Sequence, residues 1–447
     1  MKAYGIDFGT TNSLVSLWDN EGVRVLPMEK NSQNIIRSVM YYHPDKGFEV
    51  GKRAIELYLD DVAKGEPLRL VEKFTGKYVR IPKPLTMGGF AGMVDVPQVI
   101  LVEEGNRGRL LQGLKSVLTA RFEGTELFGN KYSLEDLLTV MMTEIKKRAD
   151  EMTGEEVDSV VLGRPVKYVG ANNEELALKR MREVARRAGF RNVEFEMEPV
   201  GAALSYGVGR QEREKVAIFD FGGGTLDVSV MDFPSGRVLG VSGAPIGGDL
   251  IDSKIFEQKL MKYFGGEVRF GKQGLPIPTY IAGSLKNWYS ISLLKTKAFL
   301  DSVESLMAEA DDKNAIQALK DLVVYNLGFM LHEEIDRVKI SLSSVEAENL
   351  VFDQKSIHIN EHITRGEFED LVSDLLQLVD QCVNAGLKNA GVKPQQIDRL
   401  VITGGSSLIP AVRNHLALKF GAEKIISEDV FESVVKGLGI KAGQIYG

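Results

Sequence analysis

Cysteine is all but absent from this sequence: Cys382 is the single one among 447 residues. One thiol closes no internal disulfide, so a disulfide-stapled scaffold is excluded and a reducing compartment is expected, with Cys382 a core or surface thiol in a helical stretch. Long apolar runs are missing too. No apolar stretch of about 18 residues occurs and the first residues turn strand-like without an apolar leader, so neither a membrane span nor a secretion signal is expected; the cytoplasm is the expected location. Positive charge is not in excess. The formal net charge is −7, which argues against nucleic acid or an anionic membrane as the main partner. The basic run Lys179, Arg180, Arg182, Arg186 and Arg187 interleaves with Glu174, Glu175 and Glu183 and reads as a solvated helix face. The five histidines, His43, His332, His358, His362 and His415, show no metal-ligand spacing.

Glycine is plentiful instead, 46 residues clustered at Gly88-Gly89, Gly222 to Gly224, Gly247-Gly248, Gly265-Gly266 and Gly404-Gly405. Such clusters mark tight turns or places where the backbone closely approaches something else. Strand-like runs at 3–7, 13–18 and 23–27 open the chain as a meander. A helix is expected over 133–152, capped by Ser133 and Asp136, then a strand over 157–163 and an amphipathic helix over about 172–188 closed by Gly189. The second half repeats the scheme: paired strands at 215–219 and 226–232, helices at about 250–264 and 365–390, and the strand "DRLVIT" before Gly404, Gly405 and Ser406.

The repeat is sharpest in two turns. "YGIDFGTT" and "IFDFGGGT" each run an apolar strand into an aspartate, glycine and threonine, and Asp7 and Asp220 stand 213 residues apart. Glycine and threonine present N–H groups and a hydroxyl to an anion, which makes a phosphate cradle. A carboxylate beside a phosphate needs a cation between them, a role that Mg²⁺ with its retained waters suits. Strands followed by helices, twice, predict an internally duplicated α/β fold of two lobes facing a cleft, with insertions at about 39–132 and 250–341. "DFG" here is no protein-kinase magnesium motif, because no HRD catalytic loop occurs. "GGEVRFGKQG" has P-loop spacing but places Gln273 where the hydroxyl belongs, and it reads as a loop. Trp288-Tyr289, with Ile291, Leu293 and Leu294, reads as insertion core.

In this order, "GIDFGTTNSLV", "GLKSVL", "FEMEPVGAALSYG", "IFDFGGGTLDVSV", "IGGDLID", "IDRVKISLSS", "ITRGEFEDL", "VITGGSSLIP" and "ESVVKGLG" resemble the nucleotide-binding domain of DnaK-type heat-shock protein 70 chaperones, in the actin and hexokinase ATPase superfamily. The resemblance implies the ribonuclease H-like, actin-like ATPase fold around a nucleotide cleft, with lobe I over 1–198 and lobe II over 199–447. Since Gly447 stands just past the last motif, no peptide-binding domain is expected in the chain. That, with "LGRPVKY", "AGFRNVEFEMEPV" and the enlarged "GLPIPTYIAGSLKNWYSISLL", makes it most similar to short YegD-type homologues.

The resemblance also implies roles. Gly9, Thr10, Thr11 and Asn12 would line the β- and γ-phosphates, although the family usually has an aromatic at the Asn12 position. Lys115 would be the catalytic lysine, Glu198 would orient water, Asp220 would position the attacking water, and Thr225 belongs with them. Gly222, Gly223, Gly224 and Thr225 would hold the other side of the phosphates, and Asp7, Asp220 and Asp227 would hold Mg²⁺ through water. Gly248, Asp336, Lys339, Ser343, Gly404, Gly405 and Ser406 would take the rest of ATP or ADP. Ile340 and Leu408 replace the two arginines that sandwich adenine, so weaker or less base-selective binding is expected. The expected function is a weak ATPase switch read by a client or co-chaperone. A small-molecule kinase or a filament-forming actin-like protein are the alternatives, and the Lys115 and Glu198 matches argue against the kinase.

Overall fold

Strands apolar at successive positions, such as "AYGIDF" and "KVAIFDF", must be covered on both faces. A computed structural model, which describes residues 2–29, 34–67, 69–84, 90–104, 108–119, 124–168, 173–286, 288–291, 294–427 and 432–447, has them so covered. Ala3–Phe8 (β1), Asn12–Asp19 (β2) and Gly22–Val25 (β3) form an antiparallel meander. Ser159–Arg164 (β4) then adds parallel to β1, and Asn192–Met197 (β5) parallel to β4. The second half lays Glu214–Phe221 (β6), Leu226–Phe233 (β7), Arg237–Ala244 (β8), Arg399–Thr403 (β9) and Ile425–Ile426 (β10) in the same order and sense. The fold is duplicated, as the two turns implied.

Helices repeat with the strands: Leu134–Thr153 (α1), Glu174–Arg187 (α2) and Glu198–Gly207 (α3) in the first half; Gly248–Ile255 (α4) and Gly328–Ser341 (α5) in the second insertion; then Arg365–Ala390 (α6), Pro410–Phe420 (α7) and Ser433–Tyr446 (α8). The caps explain two of the starts. Ser133 and Asp136 form a reciprocal capping box at α1, and Thr364 and Glu367 form its counterpart at α6. The helix expected over 250–264 begins at Gly248 and changes pitch, with a π turn over Phe256–Leu260 and a 3₁₀ turn over Met261–Phe264. The wider turn keeps Phe256, Leu260 and Phe264 on the buried side, with the two phenyl rings stacked 5.7 Å apart.

Alternation along the strands sorts three cores. Tyr4, Ile6 and Phe8 of β1 join the residues of α1 and α2 on the outside of the first sheet. Ala217, Phe219 and Phe221 of β6 join α6 and the second insertion outside the second sheet. Between the sheets, Ala3, Val161, Val216 and Ile218 close on Ala202 and Ala203 of α3 and Val434, Leu438 and Ala442 of α8. α8 packs on β1, β2 and β4 of the first sheet, although it follows every strand of the second, and α3 packs on β6 and β7 of the second. The two helices cross where a Cβ on Gly437 would lie 1.6 Å from the Gly201 carbonyl oxygen.

The first insertion holds a three-stranded sheet (Val39–His43, Gly47–Val50, Arg109–Gln112), the helix Lys52–Ala63 and the hairpin Arg69–Pro84 with Phe90–Glu104. An antiparallel pair, Ala347–Gln354 with Ile357–Thr364, has no counterpart in the sequence reading. "GGEVRFGKQG" is a loop, with Gly271 and Gly274 at φ 64° and 63°. Ile291 and Leu294 are core, whereas the side chains of Trp288, Tyr289 and Leu293 lie outside the described residues, as does the Gly88-Gly89 turn. Cys382 is buried, and burial pushes its thiol up to about 11. No helix among the described residues is long and apolar enough to cross a membrane.

Candidate functional site

β1 and β6 end at the same level, so their turns meet across the cleft. A Cβ on Gly223 would lie 2.9 Å from the Thr11 hydroxyl, and one on Gly224 would lie 3.2 Å from that of Thr10. Any side chain there would fill the gap, which is why glycine stands on one face and small hydroxyls on the other. Gly404, at φ 78°, brings its backbone under the second turn, where a Cβ would meet the Phe221 carbonyl at 2.4 Å. The Ser406 hydroxyl donates to the Gly222 carbonyl at 2.9 Å and ties the loop down.

Two cavities open from this gap. The larger, about 500 Å³, is lined by Asp7, Thr11, Asn12, Asp220, Gly223 and Gly248 at its inner end. Asp336, Lys339, Ile340, Ser343, Gly404, Gly405, Ser406 and Leu408 also line it. The smaller, about 110 Å³, gathers Gly9, Thr10, Lys115, Glu198, Gly224 and Thr225, and shares Asp7 and Gly223 with the larger. Gly222 and Asp227 line neither. Gly222 is the hinge of the turn, accepting from the Gly248 N–H at 3.1 Å. Asp227 sits one layer deeper, opposite Asp220 in the β6–β7 pair, and accepts from the Val166 N–H at 2.8 Å.

The smaller cavity is short of positive charge. Lys115 stands in a 3₁₀ turn over Leu114–Val117 and pairs with Glu198, the first residue of α3, at 2.7 Å, both nearly buried. Burial alone would lower the Lys115 ammonium's pKa, but Glu198 and Asp7 outweigh it and hold the lysine charged. The acids around it suffer the reverse. Burial and then Glu198 push Asp7 and Asp227 up to about 7, and the same causes raise Asp220 well above its ordinary value. At the outer end Lys339 bridges Asp252 at 2.7 Å and Asp336 at 2.8 Å. Burial opposes ionisation of Asp336, yet Lys339 holds its carboxyl low, whereas burial and Asp252 raise Asp249 to about 7.

The sequence reading missed Asp249 and Asp252, although "IGGDLID" carried them, and it missed Arg37 and His332, which no local pattern marks; all four line the larger cavity. Arg37 reaches across to Glu333 of α5 at 2.6 Å, so the first lobe and the second insertion also meet over the cleft mouth.

Paired glycine–threonine turns, buried acids at the ends of equivalent strands and a lysine from the first insertion form one constellation, and a family model matches the stretches of chain that hold the lysine and the second turn. The model described as Hsp70 protein matches residues 115–272 and 300–447, more than half of the chain. The chain belongs to the Hsp70 protein family. Its two lobes are the actin-like ATPase fold of the ATP-binding, chaperone-type domain of that family, and the Asp220 turn and the Gly404 loop lie within the matched stretches. The residues between them, 273–299, belong to the second insertion.

The raised carboxyls of this Hsp70 domain set its pH dependence. Asp7, Asp227 and Asp249 keep protons in the fold up to about pH 7 that the unfolded chain releases near its ordinary 3.8. Their contribution to stability is therefore complete below about pH 4 and is lost as pH rises through 7, at up to about 1.4 kcal/mol per unit for each proton. In nucleotide-free, Mg²⁺-free buffer, Tm is expected to fall from pH 6 to pH 8, and Asp249→Asn to flatten the slope. A Tm that climbs over this range would contradict the assignment.

Proposed function

We propose that this chain is a magnesium-dependent, slowly hydrolysing ATP switch of the cytoplasm, whose lobe closure is read by a client or partner protein. The observation that carries the reading is the charge balance at the inner cleft. Four carboxyls, Asp7, Glu198, Asp220 and Asp227, share one ammonium, and three of them resist ionisation. A triphosphate would worsen that balance unless a divalent cation came with it. Among the described residues no three carboxyl, imidazole or thiol groups converge as direct ligands, so Asp7, Asp220 and Asp227 would reach Mg²⁺ through the waters that ion retains. When bound, Mg²⁺ would supply positive charge to offset that of the phosphates.

The chain's own groups supply the rest. Thr10, Thr11, Gly223 and Gly224 offer hydroxyls and N–H groups to the phosphates, and Lys115 brings its ammonium to the last of them. Glu198 and Asp220 orient a water, and Asp220, in its ionised form, accepts its proton. Ile340 and Leu408 meet the base by apolar contact alone, without the cation–π share of about 0.5–2 kcal/mol per arginine. The Arg37–Glu333 pair over the mouth is where nucleotide-dependent closure would reach the insertions and a partner.

The reading is tested by single-turnover assay with stoichiometric ATP, with and without Mg²⁺ and with no added acceptor. Phosphate release over minutes that requires Mg²⁺ is expected. Binding without release points instead to a kinase awaiting its acceptor, and ATP-dependent light scattering points to a filament.

A further inference from the structure

One aromatic at the inner end of the cleft belongs to none of the roles above. Tyr168 follows β4 in the segment leading to α2, and its ring is held in the outer core of the first lobe at 5 % exposure. It also lines the 110 Å³ cavity beside Lys115, Glu198, Thr10 and Gly224. Its hydroxyl has no hydrogen-bond partner among the described residues and is not one of the fully enclosed side-chain atoms left without one, so it is open to a partner that enters the cavity. Burial raises the phenol, Lys115 pulls it back and Glu198 raises it again, leaving it at about 12 and therefore a proton donor at any working pH.

The order of the cavities says what would arrive there. On the nucleotide reading Ser343, Ile340 and Leu408 of the larger cavity would take the nucleoside end, and Asp7 and Gly223 are common to both cavities. A phosphate chain threaded between the two turns leads from the larger cavity into the smaller, and its last phosphate is the one to reach Tyr168. Lys115 is already engaged by Glu198 at 2.7 Å, so a neutral donor fixed by its own ring packing adds a contact that costs no further ordering.

We propose that the Tyr168 hydroxyl donates a hydrogen bond to the terminal phosphate of a bound nucleoside triphosphate, so that Tyr168 is a residue by which this site tells a triphosphate from a diphosphate. The proposal rests on the nucleotide reading above. It differs from a packing role in one respect: removal of the hydroxyl alone, with the ring kept, changes the preference.

The experiment titrates wild type, Tyr168→Phe, Tyr168→Met and Tyr168→His with Mg²⁺-ADP and with a non-hydrolysable Mg²⁺-ATP analogue by calorimetry, with melting curves alongside. The donor-lacking variant that melts as wild type is the one read. It is expected to bind ADP as wild type does and the triphosphate about 10-fold more weakly, with single-turnover hydrolysis slowed in step. Tyr168→His, which restores a ring donor, is expected to recover part of the ratio. A wild-type ratio in the donor-lacking variant, or equal weakening of both nucleotides, overturns the proposal alone. A wild type that binds neither nucleotide overturns the nucleotide reading and takes the proposal with it.

Discussion

Gly437→Ala is expected to destabilise the protein by about 3 kcal/mol or more, at the upper end of what overpacking does. The added methyl would lie 1.6 Å from the carbonyl oxygen of Gly201 and 2.3 Å from its carbon. These are backbone atoms of α3, so no flexible side chain can give way, and relief requires the two helices to part. That separation would open the central core, where Val200, Ala202 and Ala203 meet Val434, Leu438 and Ala442. Gly366→Ala is the control, in the first turn of α6 with nothing within 4 Å of the added Cβ; it is expected to be neutral or to gain about 0.4–1 kcal/mol. Urea midpoints measure both. A Gly437→Ala midpoint within error of wild type would show that the crossing is not tight.

What the sequence could disclose followed how local the cause was. α1 and α6 were legible because their caps and apolar periodicity lie within a few residues of each other, and α6 was expected over 365–390 and spans Arg365–Ala390. The duplicated sheet was legible because its strands carry the same turn twice. The pair Ala347–Gln354 and Ile357–Thr364 went unread although Leu350, Phe352, Ile357, Ile359 and Ile363 alternate and are buried, because the turn residue Lys355 adopts φ 56° without the glycine or asparagine that signals a hairpin. At the site, residues in motifs were legible and those delivered by topology were not. Arg37 reaches the cavity through a two-residue strand paired to β2, and His332 through α5; neither placement leaves a mark on its neighbours in sequence.

Asp220→Asn is expected to keep Mg²⁺-ATP binding and to slow single-turnover hydrolysis about 10²-fold or more, the usual weight of a positioned base. The amide preserves size and can still hold a water, but it cannot take that water's proton. A second effect runs the other way. Asp220 is a buried carboxyl beside Glu198, Asp227 and Asp7, whose charges all oppose its ionisation. At pH 8 the nucleotide-free variant is therefore expected to melt above wild type, since the neutral amide escapes that repulsion. Activity lost with stability gained is the signature of a group kept for chemistry. Loss of both would make Asp220 a structural residue, and unchanged hydrolysis would move the base elsewhere, with Glu198 next in line.

The path of α8 has a consequence for how this protein comes off the ribosome. Synthesis delivers β1 to β5 first, yet the inner face of that sheet is roofed by Ser433–Tyr446, where the backbone at Leu438 and Gly439 lies so close to Gly5 that a Cβ there would come within 2.5 Å of it. Until those residues emerge, Ala3, Gly5 and Val161 face water or a chaperone. Folding of lobe I cannot then run to completion domain by domain from the N-terminus, as vectorial folding usually does. The sheet made first waits for a helix that follows every strand of the second.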